Sequence, residues 1–154
     1  LRSGEITTDD LLVPGARALL DDLVARGLQL TLASGTAVKN VRQEAAMLGI
    51  DHYFEGRIFG PGVDPRTFSK LAVMQGVLET TGASGAELLG FGDGFVEIEN
   101  VKQVDGIAVG VATDEPTCQQ VDTWKRNRLA GVGADYVIPN FLCRQELFAE
   151  LFPE

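Results

Sequence analysis

Histidine, cysteine and tryptophan are scarce in this sequence, with one His, two Cys and one Trp among 154 residues. A Ser-His-Asp hydrolase is a poor reading when His52 is the single histidine and lies in a weak strand region that suits a packed or surface role. Cys118 and Cys143 lie far apart and form no Cys-x-x-Cys pair. That argues against a structural zinc site or a disulfide framework and fits a reducing, cytoplasmic setting. Positive charge is short as well, at 13 Lys and Arg against 22 Asp and Glu, for a net charge of −9. A bare electrostatic grip on nucleic acid or anionic lipid draws on clustered cations, so neither is an expected partner. The only basic cluster, Lys125, Arg126 and Arg128 beside Trp124, reads as a solvated helix face. No apolar run approaches the roughly 18 residues that span a bilayer, and the first residues carry no basic-then-apolar signal pattern.

What is present is an ordinary globular balance, 45% apolar and 23% charged. A chain of this length is one domain by size and buries roughly 68–70% of its unfolded surface. We find no internal repeat, low-complexity tract or interdomain linker. The sequence opens on Leu1 rather than Met, from which we expect that a preceding segment has been removed or is not seen.

Pro14 and Gly15 open a helical pattern in which Leu19, Leu20, Leu23 and Val24 share a face, ended by Gly27. Residues 28–33 read as a buried strand. After Ser34-Gly35-Thr36, Val38, Val41, Ala45 and Leu48 recur at helical spacing up to Gly49. Residues 53–59 are a weaker strand candidate. A loop with Pro61, Gly62, Asp64 and Pro65 leads to a helix over about residues 67–80. Then come a strand at 87–91, a helix at 95–104, a strand at 107–112, a helix near 121–129 stopping at Gly131, a strand at 136–138 and a terminal helix. Four or five strands alternating with helices predict an α/β fold, a doubly wound three-layer α/β/α parallel sheet.

In such a sheet ligands bind beyond the carboxyl ends of the strands, and three polar clusters fall there. Ser34, Gly35 and Thr36 follow a strand and precede a helix, where hydroxyls and N–H groups can meet a phosphate or simply cap the helix. Lys70 lies in the first turn of a helix, a place the helix dipole disfavours for a cation unless a carboxylate or phosphate is near. A plain surface lysine is the competing reading. Gly92-Asp93-Gly94 breaks the third predicted strand, and Glu97 follows four residues after Asp93, near the start of a helix that turns it back toward the same crevice. Two hard oxygen donors at a strand end suit Mg²⁺, which takes one or two carboxylates and completes its shell with water and substrate phosphate. A glycine-rich turn capped by Asp is the alternative. A dinucleotide-binding turn is weakly supported, because position 95 is Phe where that fingerprint wants a third Gly or Ala.

The order of these clusters resembles the second, third and fourth motifs of the haloacid dehalogenase superfamily. They are Ser34 in Leu32-Ala33-Ser34-Gly35-Thr36, Lys70 in Phe68-Ser69-Lys70, and Gly92-Asp93-Gly94-Phe95-Val96-Glu97. The resemblance runs from Pro14 to about Ile138 and implies a Rossmann-like core with magnesium-dependent phosphatase chemistry on a small phosphorylated substrate. It implies that Ser34 hydrogen-bonds the transferring phosphoryl group with Gly35 and Thr36 beside it. Lys70 would balance charge, Asp93 would ligate Mg²⁺, and Glu97, where Asp is commoner, would support the metal. Phe91-Gly92-Asp93-Gly94 and Trp124-Lys125-Arg126 also resemble superfamily members joined to sugar-kinase-like domains, which points to sugar phosphates.

The family's first motif, an Asp-x-Asp pair at the end of the central strand, has no counterpart. Asp9-Asp10 has neither spacer nor strand, and Asp21-Asp22 lies within a helix. We therefore expect residues 1–13 to be the tail of an inserted cap and residues 14–154 to be a partial core without its first strand. The neighbours of that strand would flank an open seam, so its segment is expected as a separate or unseen piece, or the sheet is rearranged. The chain alone is expected to be inactive. A scaffold or regulatory domain, or a phosphomutase, are the alternatives, and all depend on Ser34, Lys70, Asp93 and Glu97 converging at one rim.

Overall fold

The computed structural model of the chain describes residues 12–62, 66, 68–113 and 122–152. The chain divides into two compact units, one reaching Phe68 and resuming at Phe141, the other Ser69–Asn140.

The first unit begins with α1 (Ala16–Ala25), β1 (Leu32–Ala33), α2 (Val38–Leu48), a 3₁₀ turn at Asp51–Phe54 and β2 (Ile58–Phe59). β1 and β2 pair in parallel, Leu32 opposite Ile58 and Ala33 opposite Phe59. Val41 and Ala45, one turn apart on α2, turn inward against Phe54 and Ile58, and all four are buried. The Arg17 guanidinium donates to the carbonyls of Leu48 and Gly49 at 2.7 and 3.0 Å, satisfying the open end of α2. The strands are shorter than their apolar runs. Glu55 and Gly56 both adopt positive φ, so the segment expected as a strand from residue 53 coils first and extends only at Ile58. With so short a partner, only Leu32 and Ala33 of the 28–33 run join a ladder.

The second unit holds α3 (Lys70–Thr81), β3 (Leu89–Gly92), α4 (Phe95–Gln103), β4 (Ile107–Val111), α5 (Thr123–Gly131) and β5 (Tyr136–Ile138). Its sheet has the order β3-β4-β5, parallel throughout. β4 is the middle strand, which explains its unbroken apolar sequence: Ala108 and Val109 are fully buried because helices and neighbours cover both faces. Ile98 and Val101 of α4 and Leu129 of α5 close the core. Helix starts follow their caps rather than the expected boundaries. Ser69 Oγ accepts from Ala72 N–H, so α3 begins at Lys70, and Asp122 Oδ1 accepts from Lys125 N–H at 3.0 Å, so α5 begins at Thr123. Glu87, expected in β3, instead closes a capping box with Ser84.

The chain returns to the first unit at a 3₁₀ turn, Phe141–Cys143, and α6 (Arg144–Leu151). Phe141 N–H donates to the Pro14 carbonyl at 2.8 Å, and Arg144 pairs with Asp22 at 2.8 Å. The fold is α/β with parallel sheets, as the alternation of elements implied. Among the described residues β1 has a strand partner only in β2 and β3 only in β4, so each keeps one unpaired edge. The Asp64-Pro65 loop, residues 1–11 and Cys118 lie outside the described residues.

Candidate functional site

β3 runs four residues to Gly92, the chain turns through Asp93 and Gly94, and α4 begins at Phe95. Asp93 is exposed at the carboxyl end of the sheet, and Glu97 lies in the first turn of α4, half-buried. Lys70 Nζ donates to Glu97 Oε1, and the two side chains are 20% and 25% exposed. The carboxylate that offsets a lysine at the unfavourable end of α3 is thus Glu97, 27 residues away in sequence. Burial pushes the Glu97 carboxyl up, but the hydrogen bond from Lys70, one from its own backbone N–H and the lysine charge outweigh it. The group is held below its ordinary range and is ionised at neutral pH.

Two glycines make room for this side chain. A Cβ on Gly94 would lie 2.2 Å from Glu97 Oε2, and one on Gly92 would lie 2.9 Å from Glu97 Cβ. The Gly-Asp-Gly turn therefore folds around the glutamate that follows it. The capped-turn alternative for this cluster fails in one respect, since α4 has Gly94 as its N-cap and no side-chain cap.

Ser34 belongs to the other unit. Its N–H donates to the Phe59 carbonyl at 3.0 Å, extending the β1–β2 ladder, and its Oγ accepts from Thr36 N–H at 3.1 Å. The N-cap of α2 is Ala37, without a side-chain bond, so neither Ser34 nor Thr36 caps that helix. Ser34 instead closes a tight local turn, and its hydroxyl proton can still be donated to a ligand. Gly35 and Thr36 are exposed. Thus Lys70 and Glu97 are brought into contact, Asp93 shares their unit, and Ser34, Gly35 and Thr36 are built into the other.

Asp93 and Glu97 fit a magnesium ion in their chemistry: two hard oxygen donors on one strand-to-helix turn, one exposed and the other ionised. Among the described residues no group of three or more His, Cys, Asp or Glu gathers, and Mg²⁺ needs no such protein cage.

Trp124, Arg126 and Arg128 are exposed, as a solvated helix face implies, but two of them are not independent of their surroundings. The Arg128 guanidinium stacks 4.2 Å from the centroid of the Phe95 ring and 5.2 Å from that of Trp124. The available signal was the four-residue spacing of Trp124 and Arg128, which puts them on one helix face. Lys125 Nζ donates to the Thr113 carbonyl at 3.2 Å.

The comparisons with known proteins agree on the fold. A predicted phosphatase from Clostridium acetobutylicum is similar at 19% identity and a TM-score of 0.69, over 91% of this chain and 59% of that one. A conserved haloacid dehalogenase-like protein of unknown function from Agrobacterium tumefaciens is similar at 17% identity and a TM-score of 0.72, over 89% and 60%. A β-phosphoglucomutase from Clostridium difficile is similar at 19% identity and a TM-score of 0.64, over 98% and 62%. The chain therefore spans about three fifths of the length of these proteins. No curated protein sequence matches it. Among the described residues no helix is long and apolar enough to cross a membrane. The model of the haloacid dehalogenase-like hydrolases matches residues 2–105, which contain Ser34, Lys70, Asp93 and Glu97 and make up well over half of the sequence. By that match the chain belongs to the haloacid dehalogenase-like hydrolase family.

Proposed function

We propose that the complete protein is a cytoplasmic, magnesium-dependent phosphatase of small phosphorylated metabolites, with sugar phosphates the favoured class. The observation that carries this reading is the Lys70–Glu97 pair beside Asp93 at the end of β3. A cation from α3 paired with an ionised carboxylate, four residues from an exposed one, can hold a phosphoryl group and its counter-ion together. Ser34 would donate its hydroxyl proton to a phosphoryl oxygen, with Gly35 and Thr36 beside it. Lys70 would neutralise charge on the transferring group, while Asp93 and Glu97 would hold Mg²⁺. The metal would supply Lewis-acid stabilisation of phosphoryl oxygens.

The nucleophile would be an aspartate contributed from outside these 154 residues, at the end of a first strand that precedes a cap of which residues 1–13 are the tail. Its carboxylate oxygen would bond to phosphorus as the ester oxygen leaves with a proton from the second aspartate of the same Asp-x-Asp pair. Water, giving a proton back to this second aspartate, would then attack phosphorus and release phosphate and the free nucleophile. This chain alone is expected to be inactive. Neither nucleic acid nor a membrane enters the proposal, given the net charge of −9. A phosphomutase is the second reading, favoured by the fold shared with a β-phosphoglucomutase.

The test is phosphate release from a broad panel of phosphate esters by the protein with its upstream segment restored, with magnesium and with a chelator. Activity should require magnesium. Asp93→Asn should lower it by about 100-fold or more, since metal stabilisation is worth several kcal/mol. Equal rates in chelator, or no release from any ester, would remove the proposal.

A further inference from the structure

Trp124 is the only tryptophan and is 66% exposed, on a helix that buries only Leu129. An indole in water on a polar helix contributes nothing to the core, yet it is not loose. Arg128, one turn along α5, lies over both Trp124 and Phe95, so the indole and the guanidinium are held in one stack. Phe95 is two residues from Asp93, which limits their Cα separation to about 7 Å.

The other end of the stack is tied to the same edge of the sheet. Asp122 N–H donates to the Ala112 carbonyl at 2.8 Å, and Lys125 Nζ reaches the Thr113 carbonyl. Both carbonyls lie just past the end of β4, whose Gly110 is paired with Gly92 of β3. The first turn of α5 is thereby anchored at the carboxyl end of one strand, and Asp93 sits at the carboxyl end of its neighbour. Among the described residues Arg128 has no carboxylate partner, although the chain carries an excess of acids. Its guanidinium carries five N–H donors and is exposed, so it can donate to a ligand while it lies over the rings.

Resting on the phosphatase reading above, we infer that Trp124 and Arg128 form a subsite for the part of the substrate that leaves. The indole face takes a sugar ring and the guanidinium a second anionic group, so the substrate class is a sugar phosphate bearing a second phosphate or a carboxylate. The match to the family model ends at residue 105, short of both residues.

The test follows Trp124. The protein with its upstream segment restored, in excess magnesium, is mixed rapidly with fructose 1,6-bisphosphate or with fructose 6-phosphate and the change in Trp124 emission is read before turnover, and inorganic phosphate is titrated by calorimetry. The bisphosphate should bind on the order of 10-fold more tightly than the monophosphate, the worth of one charge-assisted contact. Arg128→Gln should erase that preference without changing the affinity for inorganic phosphate, and Arg128→Lys, which keeps the charge but not the plane, should restore part of it. Unchanged far-ultraviolet circular dichroism shows that each variant is folded. Inorganic phosphate binding with no preference for the bisphosphate, or a preference that survives in Arg128→Gln, overturns the subsite and leaves the phosphatase reading standing. No phosphate binding in any arm removes both.

Discussion

The two units repeat one pattern, a strand running into a small polar turn and a helix, and hold the turn in different ways. In Ser69–Asn140 the strand is four residues long and abuts the buried strand β4, and the turn closes on Glu97, which Lys70 grips. In the other unit the strand is two residues long, and the turn at Ser34 is closed by a single local hydrogen bond to Thr36. A long central ladder fixes where a turn begins, and a distant charged partner fixes where its side chain points. Lacking both, the Ser34 turn is held by that local bond and by two backbone bonds to the neighbouring segment, Ser34 N–H to Phe59 and Val38 N–H to Pro61.

Core truncation should show the largest contrast. Leu129 is 1% exposed in a core closed from several sides, so Leu129→Ala should cost about 4–5 kcal/mol. Ile58 is 4% exposed, but its neighbour Phe59 is open to solvent, and Ile58→Ala should cost nearer 2 kcal/mol. Denaturant unfolding, with Trp124 emission for one unit and circular dichroism for the whole, measures both. A larger cost at Ile58 would reverse the ranking of the units.

Glycine substitutions sharpen the same difference. A Cβ on Gly90 would sit 2.4 Å from Cγ2 of the buried Val101, and Gly90→Ala should cost about 1–3 kcal/mol. Nothing lies within 4 Å of a Cβ on Gly35, so Gly35→Ala should change stability by less than about 0.5 kcal/mol. Equal unfolding midpoints for the two variants would contradict this.

The units should also fail at opposite ends of the pH scale. Burial raises the Asp135 carboxyl, but the Ala108 N–H and Lys102 outweigh it, so Asp135, like Glu97, is held below its ordinary range. Stability from these groups is present above the ordinary carboxylate range, about pH 4, and is lost as pH falls through their folded values. The hydrogen bond from Tyr53 to Asp21, with burial and the carboxylate charge, holds the Tyr53 phenol above its ordinary range despite Arg17. That contribution is present below about pH 10 and is lost as pH rises through the folded value. Glu97→Gln should flatten the acid limb of a stability profile and Tyr53→Phe the alkaline limb.

A small effect is also expected at Arg128. Stacked on Phe95 and Trp124 at the surface, it should contribute about 0.5–1 kcal/mol, so Arg128→Gln should barely move the unfolding midpoint.

Much of this architecture was legible beforehand, because it rests on local rules. α2 lies at Val38–Leu48, where helical periodicity ends at Gly49, and β5 at Tyr136–Ile138, a short apolar run between Asp135 and Pro139. β1 and β2 were overestimated, since an apolar run marks burial while a strand also needs a partner of matching length. Of the candidate residues, the Gly-Asp-Gly turn and Glu97 were readable as a unit from their spacing. The pairing of Lys70 with Glu97 was not, because a lysine at a helix start has no local feature that names its partner. The Arg128 stack was missed because one of its rings, Phe95, lies on another helix.

The amino-acid order by itself determined which residues are apolar, where the chain must turn and which chemical groups stand at the turns, since these depend on neighbours a few positions away. Only the tertiary structure decided that Lys70 meets Glu97, that two glycines clear space for that carboxylate, and that an arginine joins Phe95 to Trp124. Those contacts arise when helices far apart in sequence pack on one parallel sheet, and packing brings together side chains that no local pattern connects.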